Sequence, residues 1–365
     1  MPNCSKIPFA KVRFYEDIPK LEVVEHRLQR FLKDLRIARQ DAEISAGRLS
    51  EDDKLAHHAI VERRDKIRIA NRAIAYVERV HSSTGMDHLS ERDRARLEPL
   101  RHGLTITGIS DEHEADTIAA RLHEEMPWMA PATEHVWHAM RRSVRQGEPG
   151  FRFPALLLVG PPGIGKSFWA RRFGELLERP TTKIEATSEP ASFSIVGSQR
   201  GWSSGEPGKV LTTILREKTA SPLVIVDEVE KAGDVTSNKG VRFSITDGLL
   251  PLLEVSTAAT WQCPYYRIQF DMSWVGWVLT ANSSDSLPEP LLSRCPPLTL
   301  SNLSREDILK FARRQAERRQ LPEAVIGAIE ESLAAATSKA RVPSLRTVIR
   351  MIDRAETIAF MPTIH

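Results

Sequence analysis

Apolar positions along the chain change texture twice. From about Leu21 to Ile44 they recur at Val24, Leu28, Phe31, Leu32 and Leu35, a helical spacing. Gly47 interrupts the pattern, and Ser50 followed by Glu51-Asp52-Asp53 reads as a capped helix start with acids in its first turn. A second helical pattern runs through Leu55, Ala59, Ile60, Ile67, Ile74 and Val77, and Ser82-Ser83-Thr84-Gly85 closes it. Two long helices joined near Gly47 predict an antiparallel hairpin of coiled-coil type. Before them, residues 1–20 hold three prolines and no clear period, which predicts an arm. After them, Leu89–Leu100 and Asp111–Glu125 are helical patterns split by Gly103 and Gly108, and Pro127 marks the next boundary.

Beyond Pro127 short unbroken apolar runs appear between helical segments. Ala132–Arg145 reads as a helix. Ala155–Val159 is an apolar run that stops at glycine, Leu223–Val226 one that stops at Asp227-Glu228, and Val275–Thr280 one that stops at Ala281-Asn282. Such strands alternating with helices predict a parallel sheet covered on both faces. Ser304–Arg319, Pro322–Ser338 and Ser344–Phe360 are helical again. The expected boundaries are an arm at 1–20, a helical hairpin at 21–82, a helical linker at 83–127, a sheet domain at 128–300 and a helical lid at 301–365.

Composition narrows the class. The 365 residues are 41% hydrophobic and 27% charged, ordinary for a globular chain with a real core. The net charge of +3 demands no anionic partner, but residues 1–104 carry 21 Lys/Arg against 17 Asp/Glu, and all seven tryptophans lie at Trp128 or later. Cys4, Cys263 and Cys295 are few and far apart, so neither a zinc site nor a disulfide framework is expected. No leader-like apolar stretch opens the chain and no run approaches the ~20 residues of a membrane span. A reduced cytoplasmic protein without a membrane partner is the expectation.

The chemistry concentrates in one motif. Gly160-Pro161-Pro162-Gly163-Ile164-Gly165-Lys166-Ser167 fits G-x-x-x-x-G-K-[ST], with an apolar strand before it and the helix Phe168–Leu177 after it. Glycines let backbone N–H groups turn inward around phosphates, and a helix N-terminus adds partial positive charge. Lys166 is placed for the β- and γ-phosphates of ATP, and Ser167 for Mg²⁺. Asp227, 60 residues after Ser167, is expected to hold the magnesium, and Glu228 to polarise an attacking water.

These residues resemble the AAA+ family and, within it, the ATPase module of Lon proteases, over about 155–355. Gly160–Ser167 and Asp227-Glu228-Val229-Glu230-Lys231 are similar to Lon's nucleotide motifs. Gly197–Lys209 is similar to the segment carrying Lon's polypeptide-gripping loop, with Trp202 in the aromatic place and Ser203 where Lon has an aliphatic residue. Leu249-Leu250 through Phe270–Ser273 follows Lon's pattern as well. The resemblance implies an α/β P-loop module with a helical lid. It implies Asn282 as the polar residue that senses the γ-phosphate, and Arg294, in Leu291-Leu292-Ser293-Arg294, as an arginine finger given to the neighbouring subunit. Arg346, with Arg341 as the alternative, is implied to reach from the lid to the nucleotide. A finger supplied in trans implies a ring, for which the resemblance implies a hexamer.

Lon carries a serine–lysine protease domain after its lid. Here five residues follow Phe360, so the expectation is a motor without its own peptidase, an unfoldase whose N-terminal helices recruit a protein substrate or partner. A DNA-associated accessory ATPase of transposition or replication is the alternative that the basic first hundred residues permit, and a nucleotide-dependent assembly switch is another. Gly201-Trp202-Ser203-Ser204-Gly205 also fits the serine-hydrolase elbow G-x-S-x-G, but no helix follows it and no phased Asp and His accompany it. His135 and His138, one helical turn apart, lack a third ligand and read as a solvated face.

Overall fold

The computed structural model describes residues 4–15, 19–48, 61–188, 192–200, 205–232, 235–236, 242–337 and 343–360. They form two compact units, Lys11–Ala95 and the remainder.

The smaller unit is built on two long helices, α1 (Leu21–Ser45) and α2 (Arg63–Ser83), followed by the start of the short helix Glu91–Leu97. Arg36 pairs with Asp65 at 2.6 Å, and the Arg27 guanidinium lies 5.5 Å from the Tyr76 ring centre, so the helices run antiparallel. Val24, Ile69 and Ala73 are buried. Glu62 and Asp65 cap α2 reciprocally, each side chain taking the other's backbone N–H. The expected capping signature at Ser50–Asp53 lies outside the described residues, as do His57 and His58.

The larger unit is built on five parallel strands: β3 (Leu156–Val159), β4 (Thr181–Glu185), β5 (Leu223–Asp227), β6 (Gly276–Ala281) and β7 (Pro297–Thr299). Their spatial order is β7-β3-β6-β5-β4. Burial follows position: every residue of β3, β5 and β6 is buried, while the edge strands β4 and β7 are partly exposed. Continuous apolar runs belong in the centre of a two-face-covered sheet; Thr181-Thr182-Lys183 suits an edge, where a lysine also deters further pairing. That polarity is why apolar periodicity finds the three central strands and not β4.

Helices α3 (Glu112–Glu125) and α4 (Ala130–Arg145) pair with each other, and α5 (Lys166–Leu176) packs on the sheet. Phe173 of α5 is fully buried within reach of three aromatic rings, Trp169 at 5.5 Å, Phe153 at 5.7 Å and Phe151 at 6.4 Å. The lid is α9 (Arg305–Arg318), α10 (Glu323–Thr337) and α11 (Leu345–Ala359). Between α5 and the lid run α6 (Lys209–Glu217), α7 (Ile245–Leu253) and α8 (Glu289–Arg294). Ile308, Phe311, Leu333, Val348 and Ile352 of the lid belong to the same buried cluster as Leu156, Leu158 and Phe173. Sheet and lid therefore share one core.

Residues 4–10 depart from the expected arm. Strand β1 (Cys4–Ile7) pairs antiparallel with β2 (Leu104–Thr107), and Phe9 is buried beside Phe270. Four backbone pairings and one aromatic anchor suffice to order this segment, a length too short for periodicity to register. Strand β2 likewise interrupts the expected all-helical linker. Among the described residues no helix is long and apolar enough to cross a membrane.

Phe173→Ala leaves a cavity among three rings. Urea denaturation should read a loss of about 3–5 kcal/mol; a loss under about 1 kcal/mol would contradict Phe173 as the centre of this cluster.

Candidate nucleotide site

Parallel pairing brings three loops to one edge of the sheet. Ala281 aligns with Val159 and Leu279 with Val226, so the residues after β3, β5 and β6 emerge side by side. Between β3 and β6 the chain order reverses, the place where open α/β sheets take ligands. A cleft of about 440 Å³ opens there, lined by residues that include Lys166, Ser167, Lys183, Asp227, Asn282 and Arg346.

The loop after β3 requires its glycines. Gly163 and Gly165 have φ of +81° and +96°, and a Cβ on Gly163 would lie 2.6 Å from the Ser344 Cβ. Gly160 donates to the Ala281 carbonyl at 3.2 Å and holds the loop to β6. The buried Ile164 side chain and the Trp128 indole, which donates to the Ile164 carbonyl at 2.8 Å, anchor its middle. The Gly163 carbonyl accepts from Leu345 N at 3.0 Å, tying the loop to the first turn of α11. Pro162 and Phe168 line the cleft.

Lys166 extends into this loop. Its Nζ donates to the carbonyls of Gly160 at 2.6 Å and Pro161 at 3.0 Å, and to Asn282 Oδ1 at 3.2 Å. Burial pulls its pKa below the ordinary lysine value; Glu230, Asp227 and Glu228 oppose that, and Arg346 adds to it. The N-terminus of α5 beside a desolvated cation is a donor set that polyphosphate satisfies.

Asp227 ends β5 as a buried carboxylate with every contact accounted for. Oδ1 accepts from Ser167 Oγ at 2.7 Å and from Thr280 Oγ1, and Oδ2 pairs with Lys183 at 2.9 Å. Burial raises its pKa, but the hydrogen bonds from Thr280, Lys183 and Ser167 outweigh it and hold the carboxyl below its ordinary value. Ser167 and Asp227 thus present hard oxygens side by side, the donor type magnesium takes.

Glu228 follows in the left-handed region, φ +56°, a state that costs a non-glycine residue ~1–3 kcal/mol and gathers at functional sites. Its N–H donates to Thr280 Oγ1 at 3.2 Å, and its carboxylate pairs with Lys231 at 2.9 Å. Arg346 and Arg350 line the cleft from α11.

Arg294 stands elsewhere. It ends α8, just before β7 begins, and lines a second cleft at the starts of β3 and β6 with Arg142 and Arg152. Its Nε lies 3.1 Å from Glu254 Oε1, and Nη1 donates to the Pro290 carbonyl at 3.2 Å. Trp202 and Arg341 fall outside the described residues. The described stems beside Trp202 are joined, Ser198 N to the Glu206 carbonyl at 3.0 Å.

Lys183 and Thr280 also line the cleft, and Glu230, legible in sequence only as part of its motif, meets the cleft residue Asn282. Thr280 carried a signal, a hydroxyl inside an otherwise apolar central run. Lys183 carried none, because its partner Asp227 is met only through β4–β5 pairing. His135 is half-buried, its pKa pulled down by burial first and then by Arg142 and His138, so it is less a solvated face than its spacing suggests.

Residues 156–302 match the family described as "ATPase family associated with various cellular activities (AAA)". The peroxisomal Lon protease homolog 2 of Oryza sativa subsp. indica is 28% identical over 264 residues, 68% of this chain and 29% of its own length. The Lon protease of Treponema pallidum (strain Nichols) is 33% identical over 44% of this chain and 18% of its own. The mitochondrial Lon protease homolog of Homo sapiens is 31% identical over 44% of this chain and 16% of its own. The chain thus spans less than a third of the length of these relatives.

Asp227 sets a pH dependence. Its folded pKa is depressed, so its ionised form contributes stability above the unfolded value of about 4 and loses it as pH falls through the folded value. Urea midpoints between pH 5 and 2 should fall less steeply in Asp227→Asn than in the unsubstituted chain. Parallel curves would contradict a depressed Asp227.

Proposed function

With residues 156–302 an AAA ATPase domain as the premise, we propose that the chain binds ATP with Mg²⁺ in the strand-end cleft, hydrolyses it in a ring of copies, and uses turnover to unfold or remodel proteins. The observation that carries the reading is the meeting of Lys166, Ser167, Asp227, Glu228 and Asn282 at one sheet edge while Arg294 stands at another cleft.

Lys166 takes the β- and γ-phosphates, exchanging its carbonyl contacts for anionic oxygens. Ser167 and Asp227 hold magnesium, which supplies charge neutralisation at the phosphate oxygens when bound. Glu228, released from Lys231, accepts a proton from the attacking water as general base. Asn282 meets Lys166 through its Oδ1 at the phosphate end of the cleft. Arg346 and the Leu345–Gly163 contact link lid position to the phosphate loop. Phosphoryl transfer spreads charge over the equatorial oxygens, and a guanidinium placed there is worth ~10³–10⁵ in rate. Arg294 lies outside its own chain's nucleotide cleft, which supports delivery to a neighbour and hence a ring, for which a hexamer is the proposed size.

The protein-remodelling part of the reading rests on likeness to Lon proteases and on Trp202 in the gripping-loop place. An exposed indole holds extended polypeptide by apolar contact without sequence preference.

Lys166→Ala should abolish ATP binding. Glu228→Gln should keep binding while turnover falls about 10²–10⁴-fold. Arg294→Ala alone should be equally slow, and mixing it with Glu228→Gln should restore turnover, since one chain offers the finger and the other the base. A mixture as slow as its parts, or Arg294→Ala at full rate, would contradict the shared site. Trp202→Ala should hydrolyse ATP at the basal rate yet lose substrate-stimulated unfolding; undiminished unfolding would contradict threading.

A further inference from the structure

Glu230 lies in the single turn Val229–Lys231 that follows β5, and Asn282 is the first residue after β6. The strands pair in register, so the two residues face each other across the mouth of the cleft. Glu230 Oε1 accepts from both nitrogens of Asn282, the backbone N–H at 3.0 Å and the side-chain Nδ2 at 2.7 Å. A carboxylate accepts only, so the amide nitrogen must face it. At the other end Asn282 Oδ1 meets the Lys166 ammonium at 3.2 Å, which donates only. Both ends of the amide are specified, and its orientation is not free. Glu230 Oε2 is buried without a partner among the described residues, so the carboxylate is spent on Asn282 through one oxygen.

We infer that Glu230 is a positioning residue for hydrolysis: it locks the Asn282 amide with its oxygen toward the phosphate end of the cleft. Asn282 then serves that end as an acceptor, for Lys166 or for a hydrogen of the attacking water, and not as a donor to the γ-phosphate. The inference rests on the ATPase reading and sharpens the part Asn282 plays in it. Without Glu230 only the Lys166 ammonium orients the amide, and the NH₂ end loses the carboxylate that fixes it.

Two comparisons on the full chain test this. In the first, kcat, KM and thermal midpoint are measured for Glu230→Ala, Asn282→Ala and the double substitution. The expected result is a kcat about 10–100-fold lower for Glu230→Ala, with KM within about twofold and the double no slower than Asn282→Ala alone. Losses that multiply in the double contradict action through Asn282. In the second, Asn282→Asp faces Glu230 with a like charge, and Glu230→Gln added to it restores a donor opposite an acceptor at unchanged total charge. The pair should turn over at least about tenfold faster than Asn282→Asp. A pair no faster means that Asn282 acts as a donor, and overturns the inference. This arm keeps side-chain size, so it decides even if Glu230→Ala fails to fold. A wild-type chain without turnover, or one indifferent to Lys166→Ala, contradicts the ATPase reading and this role with it; turnover lost in Lys166→Ala alongside multiplicative losses contradicts only the role of Glu230.

Discussion

A lysine and a carboxylate, Lys166 and Asp227, sit buried at the end of an otherwise apolar parallel sheet, and neither can be left unpaired there. An isolated charge in that setting costs several kcal/mol, so the surrounding chain is arranged to meet each one. Lys166 takes two loop carbonyls and Asn282; Asp227 takes two hydroxyls and Lys183. These partners come from the phosphate loop, the first turn of α5, the edge strand β4 and the end of β6. The strand register, the glycine backbone of the phosphate loop and the hydroxyl in β6 are consequences of holding two charges dry and close.

The same requirement connects the site to the lid. Gly163 has no room for a side chain because Ser344 closes over it, Leu345 stands against Gly165, and α11 then carries Arg346 and Arg350 into the cleft. Behind the contact the lid is continuous with the sheet's apolar core, through Phe311 beside both Trp128 and Phe168. A change in charge at the phosphate loop therefore acts on a lid that is packed, not tethered. Packed elements respond by shifting as bodies, which is how a small event at a phosphate becomes a larger movement.

Local signals made most of the site legible. The phosphate loop is contiguous, and Asp227, Glu228 and Asn282 each end an apolar run, so strand-end position could be read directly. Three things were not legible for physical reasons. Strand β4 is an edge with polar residues, so neither it nor Lys183 stood out. Strand β1 is four residues long and is ordered by its partner β2, not by its own pattern. The twelve residues from Asn282 to Arg294 do not reveal that α8 carries the chain back across the sheet, so that the arginine ends at the opposite edge from the asparagine. The turn after β5 holds Glu230 in plain view, but its value lies in a pairing across strands that no linear pattern encodes.

We propose that one chain holds an incomplete hydrolytic site, because Arg294 lines a cleft other than the one that gathers Lys166, Asp227 and Asn282. ATP turnover per chain, measured across a dilution series alongside molecular mass by light scattering, tests it most directly. The account predicts a rate per chain that rises steeply over the concentrations at which the assembly forms and is near zero for the single chain. A rate per chain that stays constant down to dilutions where only single chains remain would contradict it.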